Sequence, residues 1–221
     1  KDVVLPLARP ALLTVLILIA VGTPLGWKSP RKTAFYAREG FSIVALSWFL
    51  MSFFGALPFI FGGTIPSFVD ALFETSSGFT TTGASILTDV ESLPHSILFW
   101  RSFTHLIGGM GVLIFALAIL PQVGPDTVHL MKAESPGPSF GKIMAKVSHS
   151  ARMLYIIYLS MTAVLTVFLL LGGMPLFDSI LHAFGAAGTG GFGIKNASIG
   201  YYENAYFEVV LGIGMILFGV N

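Results

Sequence analysis

The sequence predicts an all-α membrane protein in which one transmembrane helix precedes two copies of a repeated unit. Each unit comprises a helix, a short re-entrant helix, a polar loop and a second helix. Three observations carry this reading. The 221-residue chain is 54% hydrophobic and only 10% charged, whereas soluble proteins average about 25% charged residues. Several apolar runs approach the roughly 20 residues needed to cross a hydrocarbon core about 30 Å thick. One pattern also occurs twice, at 69–84 and again at 177–192. The net charge of +1 argues against a polyanionic partner such as nucleic acid, and the absence of Cys excludes disulfides, zinc-thiolate sites and a cysteine nucleophile.

Five apolar runs are read as spans: Pro10 to Gly26, Phe41 to Phe61, Ile97 to Leu120, Met153 to Gly173, and Ala205 to Asn221. The last is still apolar where the sequence stops and is short for a crossing. With no initiator Met and no signal-peptide cleavage site, the chain is expected to be a piece of a longer protein. Charge sets the orientation. Lys28, Arg31, Lys32 and Arg38 mark one connection as cytoplasmic, and Lys132, Lys142, Lys146 and Arg152 mark another. Between them, residues 62–96 carry Asp70, Glu74, Asp89 and Glu91 with no Lys or Arg, so this stretch is placed outside. Lys1 and Arg9 then fall outside as well, a mild violation of the rule. The expected parts are residues 1–40, an extra helix with its basic connection; 41–121, a first unit; 122–152, a cytoplasmic connection; and 153–221, a second unit truncated in its last helix.

The repeat sets "VDALFETSSGFTTTGA" (69–84) above "FDSILHAFGAAGTGGF" (177–192), pairing Asp70 with Asp178, Thr81 with Thr189 and Gly83 with Gly191. The segments Phe68 to Phe79 and Phe177 to Ala187 are helix-compatible but too short to span, so each is read as entering the membrane and turning back. Asp70 and Asp178 are expected to cap these helices and to meet the positive end of the dipole. The C-terminal ends then turn partial negative charge toward the interior, which favours a cation. Non-helical backbone at membrane depth is tolerated only where it is buried or lines a watery cavity. The Thr/Gly runs therefore need a use for their carbonyls, and replacing a cation's hydration shell is one that glycine-rich backbone can serve.

The motifs "ETSSGFTTTGAS" (74–85), "FWRSFTHLIGGMGVLIFALAILP" (99–121) and "GTGGFGIKNASIGYY" (188–202) resemble those of the TrkH/TrkG/KtrB superfamily of potassium transporters, and within it the bacterial TrkH-type K+ uptake subunits. The likeness covers the chain from Phe41 onward. It implies four such units around one pore, of which two are present here. The family's intramembrane gating loop and pore-facing arginine are expected beyond Asn221, and an isolated fragment is not expected to conduct. Carried over by position, the selectivity glycines are Gly83 and Gly191, with K+ held by backbone carbonyls of Thr81, Thr82, Thr189 and Gly190. The resemblance further implies K+ uptake across the bacterial inner membrane by a multi-pass protein in contact with lipid. It also implies a homodimer and a cytoplasmic nucleotide-binding regulatory subunit that contacts basic connections such as Pro121 to Arg152. No cofactor and no enzymatic activity are expected. His105 departs from the family's usual Gln, and "IKN" (194–196) from a "STHD"-like stretch.

Other readings are weaker. "ESPGPSFGK" (134–142) has three residues between Gly137 and Gly141 where a phosphate-binding loop needs four, and Ile143 where it needs Ser or Thr. It is read as a solvated turn. "GTGGFG" (188–193) matches the dinucleotide fingerprint in letters, but a span and a short helix precede it instead of a strand. The threonine run at 80–82 has the propensity of a strand or an external loop. "GGMG" (108–111) is read as permitting close helix packing. Arg101 is read as anchoring structure in preference to repelling cations, and Glu74 and His182, equivalent in the repeat, as packing behind the loops in preference to attracting ions. The five histidines lack metal-ligand spacing, and the mid-span positions are too apolar for an intramembrane enzyme. A non-selective K+/Na+ transporter and a non-conducting membrane module on the same scaffold are the alternatives.

Overall fold

The structure, a computed structural model, describes residues 4–27, 37–119 and 140–220. Among these residues all regular structure is helical: α1 Val4–Trp27, α2 Ala37–Phe61, α3 Phe68–Phe79, α4 His95–Ile119, α5 Phe140–Leu171, α6 Leu176–Ala187 and α7 Ala205–Gly219, with a 3-10 turn at Ser198–Tyr202. Each expected apolar run falls on one of these helices, and the threonines at 80–82 form no strand. Among the described residues, two helices are long and apolar enough to cross a membrane, over Val44–Phe61 and Met153–Leu171. Only 28% and 17% of these stretches are buried within the protein. The core helix of a soluble protein would be mostly buried; here Leu46, Phe49, Ile156, Val164 and Phe168 face outward, as lipid contact requires.

α5 carries the expected span from Met153 but begins at Phe140, more than three helical turns earlier. Between Pro138 and Pro175 there is no proline to remove a backbone donor, so the helix runs through Lys142, Lys146 and Arg152. Residues 140–152 of the expected cytoplasmic connection are therefore helical. Most of both basic connections, and residues 134–139 of the expected turn, lie outside the described residues.

α2 and α5 end alike. Gly63 (φ +67°) and Gly173 (φ +91°) are left-handed; Thr64 N–H reaches back to Phe59 O at 3.1 Å, and Met174 N–H to Leu169 O at 3.2 Å. This is a Schellman-type stop, and a Cβ at either glycine would meet nothing within 4 Å, so the left-handed backbone alone calls for glycine. The chain then turns directly into α3 or α6. Here the capping expectation fails. Asp70 and Asp178 are the third residues of their helices, while Ser67 is the N-cap of α3 and accepts from Asp70 N–H at 3.4 Å; Pro175 precedes α6 with no side-chain cap. The carboxylates still sit in the first turn, near the positive end of the dipole. Asp178 instead accepts a hydrogen bond from Tyr202 Oη at 2.6 Å.

Packing places α3 against α2 and α4, and α6 against α4, α5 and α7. Ala56, Phe59, Ile65, Ala71 and Ile97 form the core around α3; Leu165, Leu169, Met174, Ala183, Ala186, Phe207 and Leu211 form the core around α6. Trp100 Nε1–H donates to Gly55 O at 2.9 Å, tying α4 to α2. The "GGMG" stretch acts as expected: a Cβ at Gly108 would overlap the Phe79 carbonyl, one at Gly109 the Tyr158 hydroxyl, and one at Gly111 would come within 2.9 Å of Trp48. Both short helices thus end against α4. Gly63→Ala is expected to destabilise the protein by about 1–2 kcal/mol through the backbone alone, read as a lower Tm in detergent.

Candidate functional site

The candidate site lies where α3 and α6 end. Their C-caps are nearly superimposable in backbone angle, Thr80 at φ −79°, ψ 3° and Gly188 at φ −78°, ψ −2°. The next residues are left-handed in both: Thr81 (φ 54°) and Gly83 (φ 77°) in the first loop, Thr189 (φ 57°) and Gly191 (φ 75°) in the second. The repeat seen in the letters is therefore present in the dihedral angles. A left-handed β-branched residue is uncommon and stores roughly 1–3 kcal/mol. Finding it twice at equivalent places marks a shared constraint.

The hydrogen bonds explain how that conformation is held. Thr80, Thr81 and Thr82 donate their N–H groups back to Ser76, Gly78 and Ser77 at 2.9, 3.1 and 2.9 Å; Gly188, Thr189 and Gly191 donate to Phe184, Ala186 and Gly185 at 3.2, 2.9 and 3.0 Å. Among the described residues, no hydrogen bond ends on a backbone carbonyl of residues 80–83 or 188–191. The loops spend their donors on the helix ends and keep their acceptors open.

The two loops also touch. A Cβ at Gly83 would overlap Gly190 O, and one at Gly190 would lie 2.8 Å from Thr81 O. Thr81, Gly83 and Gly190 are thus brought together. Thr82 is exposed and shares a 2.8 Å hydrogen bond between its hydroxyl and that of Thr80, and Thr189 is exposed. Gly191 has nothing near its Cβ position closer than Met215 Cε at 3.9 Å.

Behind the loops lies a buried ion pair. Glu74 of α3 is 1% exposed and Arg101 of α4 is 4% exposed, with Arg101 Nε–H donating to Glu74 Oε1 at 2.5 Å. The carboxylate also accepts from Ser85 Oγ at 2.9 and 3.0 Å and from Ile86 N–H at 2.9 Å, holding the chain leaving the first loop. Arg101 Nη1–H donates to Gly193 O at 2.7 Å, and its Cζ lies 3.7 Å from the centre of the Phe192 ring, holding the chain leaving the second. Ser85 and Gly193 are equivalent in the repeat. Arg101 therefore anchors structure, and Glu74 works behind the loops. His182, the counterpart of Glu74, donates from Nδ1 to Asp178 O at 2.8 Å.

Further out, the two loops are clasped by Asn196. It accepts from Val90 N–H at 2.8 Å, donates from Nδ2 to Asp89 Oδ1 at 2.8 Å, and donates its own N–H to Glu91 Oε1 at 3.1 Å; Lys195 Nζ lies 3.8 Å from Glu91. Sequence reasoning missed this clasp, along with Phe192 and Ser85. Only the equivalence of Ser85 and Gly193 was available as a signal.

A family model for TrkH, described as a cation transport protein, matches residues 10–221. The chain belongs to the TrkH family. The Trk system potassium uptake protein TrkH of Salmonella typhimurium is 39% identical to this TrkH-family chain over 211 residues, covering 94% of the chain and 44% of the relative. The Trk system potassium uptake protein TrkG of Escherichia coli is 37% identical over 213 residues, covering 95% and 44%. The crystal structure of the potassium transporter TrkH from Vibrio parahaemolyticus matches with a TM-score of 0.80 at 33% identity, covering 96% of this chain and 42% of that one. The chain spans less than half the length of these relatives. Its family is one of transporters, not an enzyme class, and the chain is a membrane protein.

Two outcomes follow for the scaffold. Glu74→Ala leaves Arg101 buried and unpaired, a loss of about 3–5 kcal/mol, and is expected to lower the Tm of the protein in detergent sharply. The hydrogen bond from Asn196 holds the Asp89 carboxyl below its ordinary value of 3.8. A depressed carboxylate contributes stability above that value and loses it as pH falls through the lower folded one. Asn196→Ala is expected to raise the Asp89 titration toward the ordinary value in a carbon-13 titration of its carboxyl.

Proposed function

We propose that this chain forms two neighbouring walls of a K+-selective pore, part of a multi-pass uptake protein of the bacterial cytoplasmic membrane. The observation that carries the proposal is the set of open carbonyls on residues 80–83 and 188–191, held by N–H groups tied back to the short helices. Backbone of alternating hand gathers successive carbonyls to one side of the chain, as a dehydrating filter needs. K+ is coordinated by carbonyls of Thr81, Thr82, Gly83, Thr189, Gly190 and Gly191. α3 and α6, with 12 residues each, are about 18 Å long at 1.5 Å per residue, well short of the membrane, and act as re-entrant pore helices. Their C-terminal dipole ends point toward the ion.

The remaining walls are assigned to the part of the longer relatives that the 221 residues do not cover. Gly83 meets the next loop at Gly190, while the equivalent side of Gly191 is free to receive a third. Those relatives are named as Trk system potassium uptake proteins, which favours K+ as the transported ion here. The membrane potential draws a cation inward by about 2.3 kcal/mol per charge per 100 mV. This reading requires no cofactor. The assembly it fits is a homodimer served by a cytoplasmic nucleotide-binding regulatory subunit.

Gly83→Ser in the full-length protein sets a Cβ into Gly190 O on left-handed backbone. It is expected to abolish K+/Na+ discrimination in flux measurements on reconstituted vesicles. Gly191→Ser is expected to match it, because a third loop stands where this chain leaves space. Unchanged discrimination in Gly83→Ser sinks the filter assignment for that loop. A parent protein that passes Na+ as readily as K+ establishes the non-selective alternative.

A further inference from the structure

Resting on the filter reading above, we propose that His105 is a positioning residue that sets the aperture of the second filter loop by backing Gly190. His105 lies on α4 one turn after Arg101; it is 0% exposed, and neither ring nitrogen has a hydrogen-bond partner among the described residues. A buried polar ring without partners sacrifices stability. Hydrogen bonding therefore gives no reason for a histidine at this place.

The ring's contacts give one. A Cβ at Gly190 would overlap His105 Nε2 and lie 2.5 Å from Cδ2, so the ring tip occupies the space that a side chain at 190 would take. A Cβ at Gly188 would lie 2.8 Å from His105 O and 3.1 Å from its Cβ and Cδ2. Gly190 is thus held from two directions, its carbonyl by Gly83 and its Cα by His105. The imidazole packs on Phe192 with ring centres 4.0 Å apart, and Phe192 in turn carries the Arg101 guanidinium.

The two loops differ in their support. The first is held from its own pore helix, through the Glu74 carboxylate on Ser85 and Ile86. The second has His182 in that place, engaged with its own helix, and leans on α4 through Arg101, Phe192 and His105. Close-packed neighbours limit displacement. The bulk of residue 105 therefore sets how far Gly190 and its carbonyl can withdraw from the ion. A smaller residue lets the loop relax outward, and the filter then distinguishes K+ from Na+ less well while still passing K+.

The test uses full-length protein in vesicles, with K+ and Na+ uptake measured for His105→Ala, His105→Gln, His105→Leu and, as a control, Gly83→Ser. His105→Ala is expected to lower the K+/Na+ ratio by about fivefold or more, equivalent to roughly 1 kcal/mol, with K+ uptake retained. Gln and Leu refill the space and are expected to keep the ratio within about twofold of the parent, the criterion being set well inside that change. If the Ala variant does not fold, His105→Val is judged by the same criterion. Failure of both to fold makes His105 a purely structural residue and overturns the proposal. An unchanged ratio in the Ala variant overturns it too, as does a loss in Leu equal to that in Ala. If Gly83→Ser changes the ratio and His105→Ala does not, the filter reading stands and only this inference falls. If neither changes it, the filter reading falls and takes this one with it.

Discussion

The ion pair between Glu74 and Arg101 is the joint on which the two loops depend. Taking both charges out of water costs several kcal/mol per ion, and the attraction offsets this only when the remaining acceptors and donors are used. Here they are. The carboxylate serves Ser85, Ile86 and Arg101, and the guanidinium serves Glu74, Gly193 and the Phe192 ring. Each partner reaches an equivalent position on a different loop, so two segments from separate copies of the repeat share one anchor. The charges are therefore engaged in holding backbone, which leaves the carbonyls of the loops to face the ion in the proposed pore.

That anchor also accounts for the strain. Thr81 and Thr189 persist in a left-handed conformation because the residues on both sides are fixed: the helix end takes up the N–H groups, and the ion pair holds the outgoing chain. Strained backbone survives where its surroundings over-determine it. The outer clasp at Asn196 adds a second tie between the same two segments. A loop held at both ends keeps its oxygens at fixed spacing, which the proposed filter would use to choose between ions of different size.

Much of this was legible in the letters, for physical reasons that differ by element. The ends of α3 were readable because glycine and proline punctuate an apolar stretch too short to span. The equivalence of Thr81 with Thr189 and of Gly83 with Gly191 was readable because duplication preserves residues whose backbone angles are demanding. The span from Met153 is legible in hydropathy, but the helix it belongs to runs back to Phe140, because hydropathy marks where lipid begins and not where a helix starts. Asp70 resembles a cap in sequence, but Ser67 stands at the turn itself and takes that place. Contacts such as Arg101 to Gly193 and Asn196 to Val90 join residues far apart in the chain; no local pattern encodes them, since they exist only once α4 is laid across both short helices.

That placement of α4 bears on how such a protein can be built. The helix follows the first loop in the chain, yet it carries Arg101 and His105 to the second. The second copy of the unit, folded alone, would lack the α4 brace for its loop, while the first, folded alone, would present that brace to an absent neighbour. A protein made of one such unit would complete its site only by exchanging this helix around a ring of identical subunits. Fusing the copies into one chain makes that exchange intramolecular, and it frees each brace to diverge from the others.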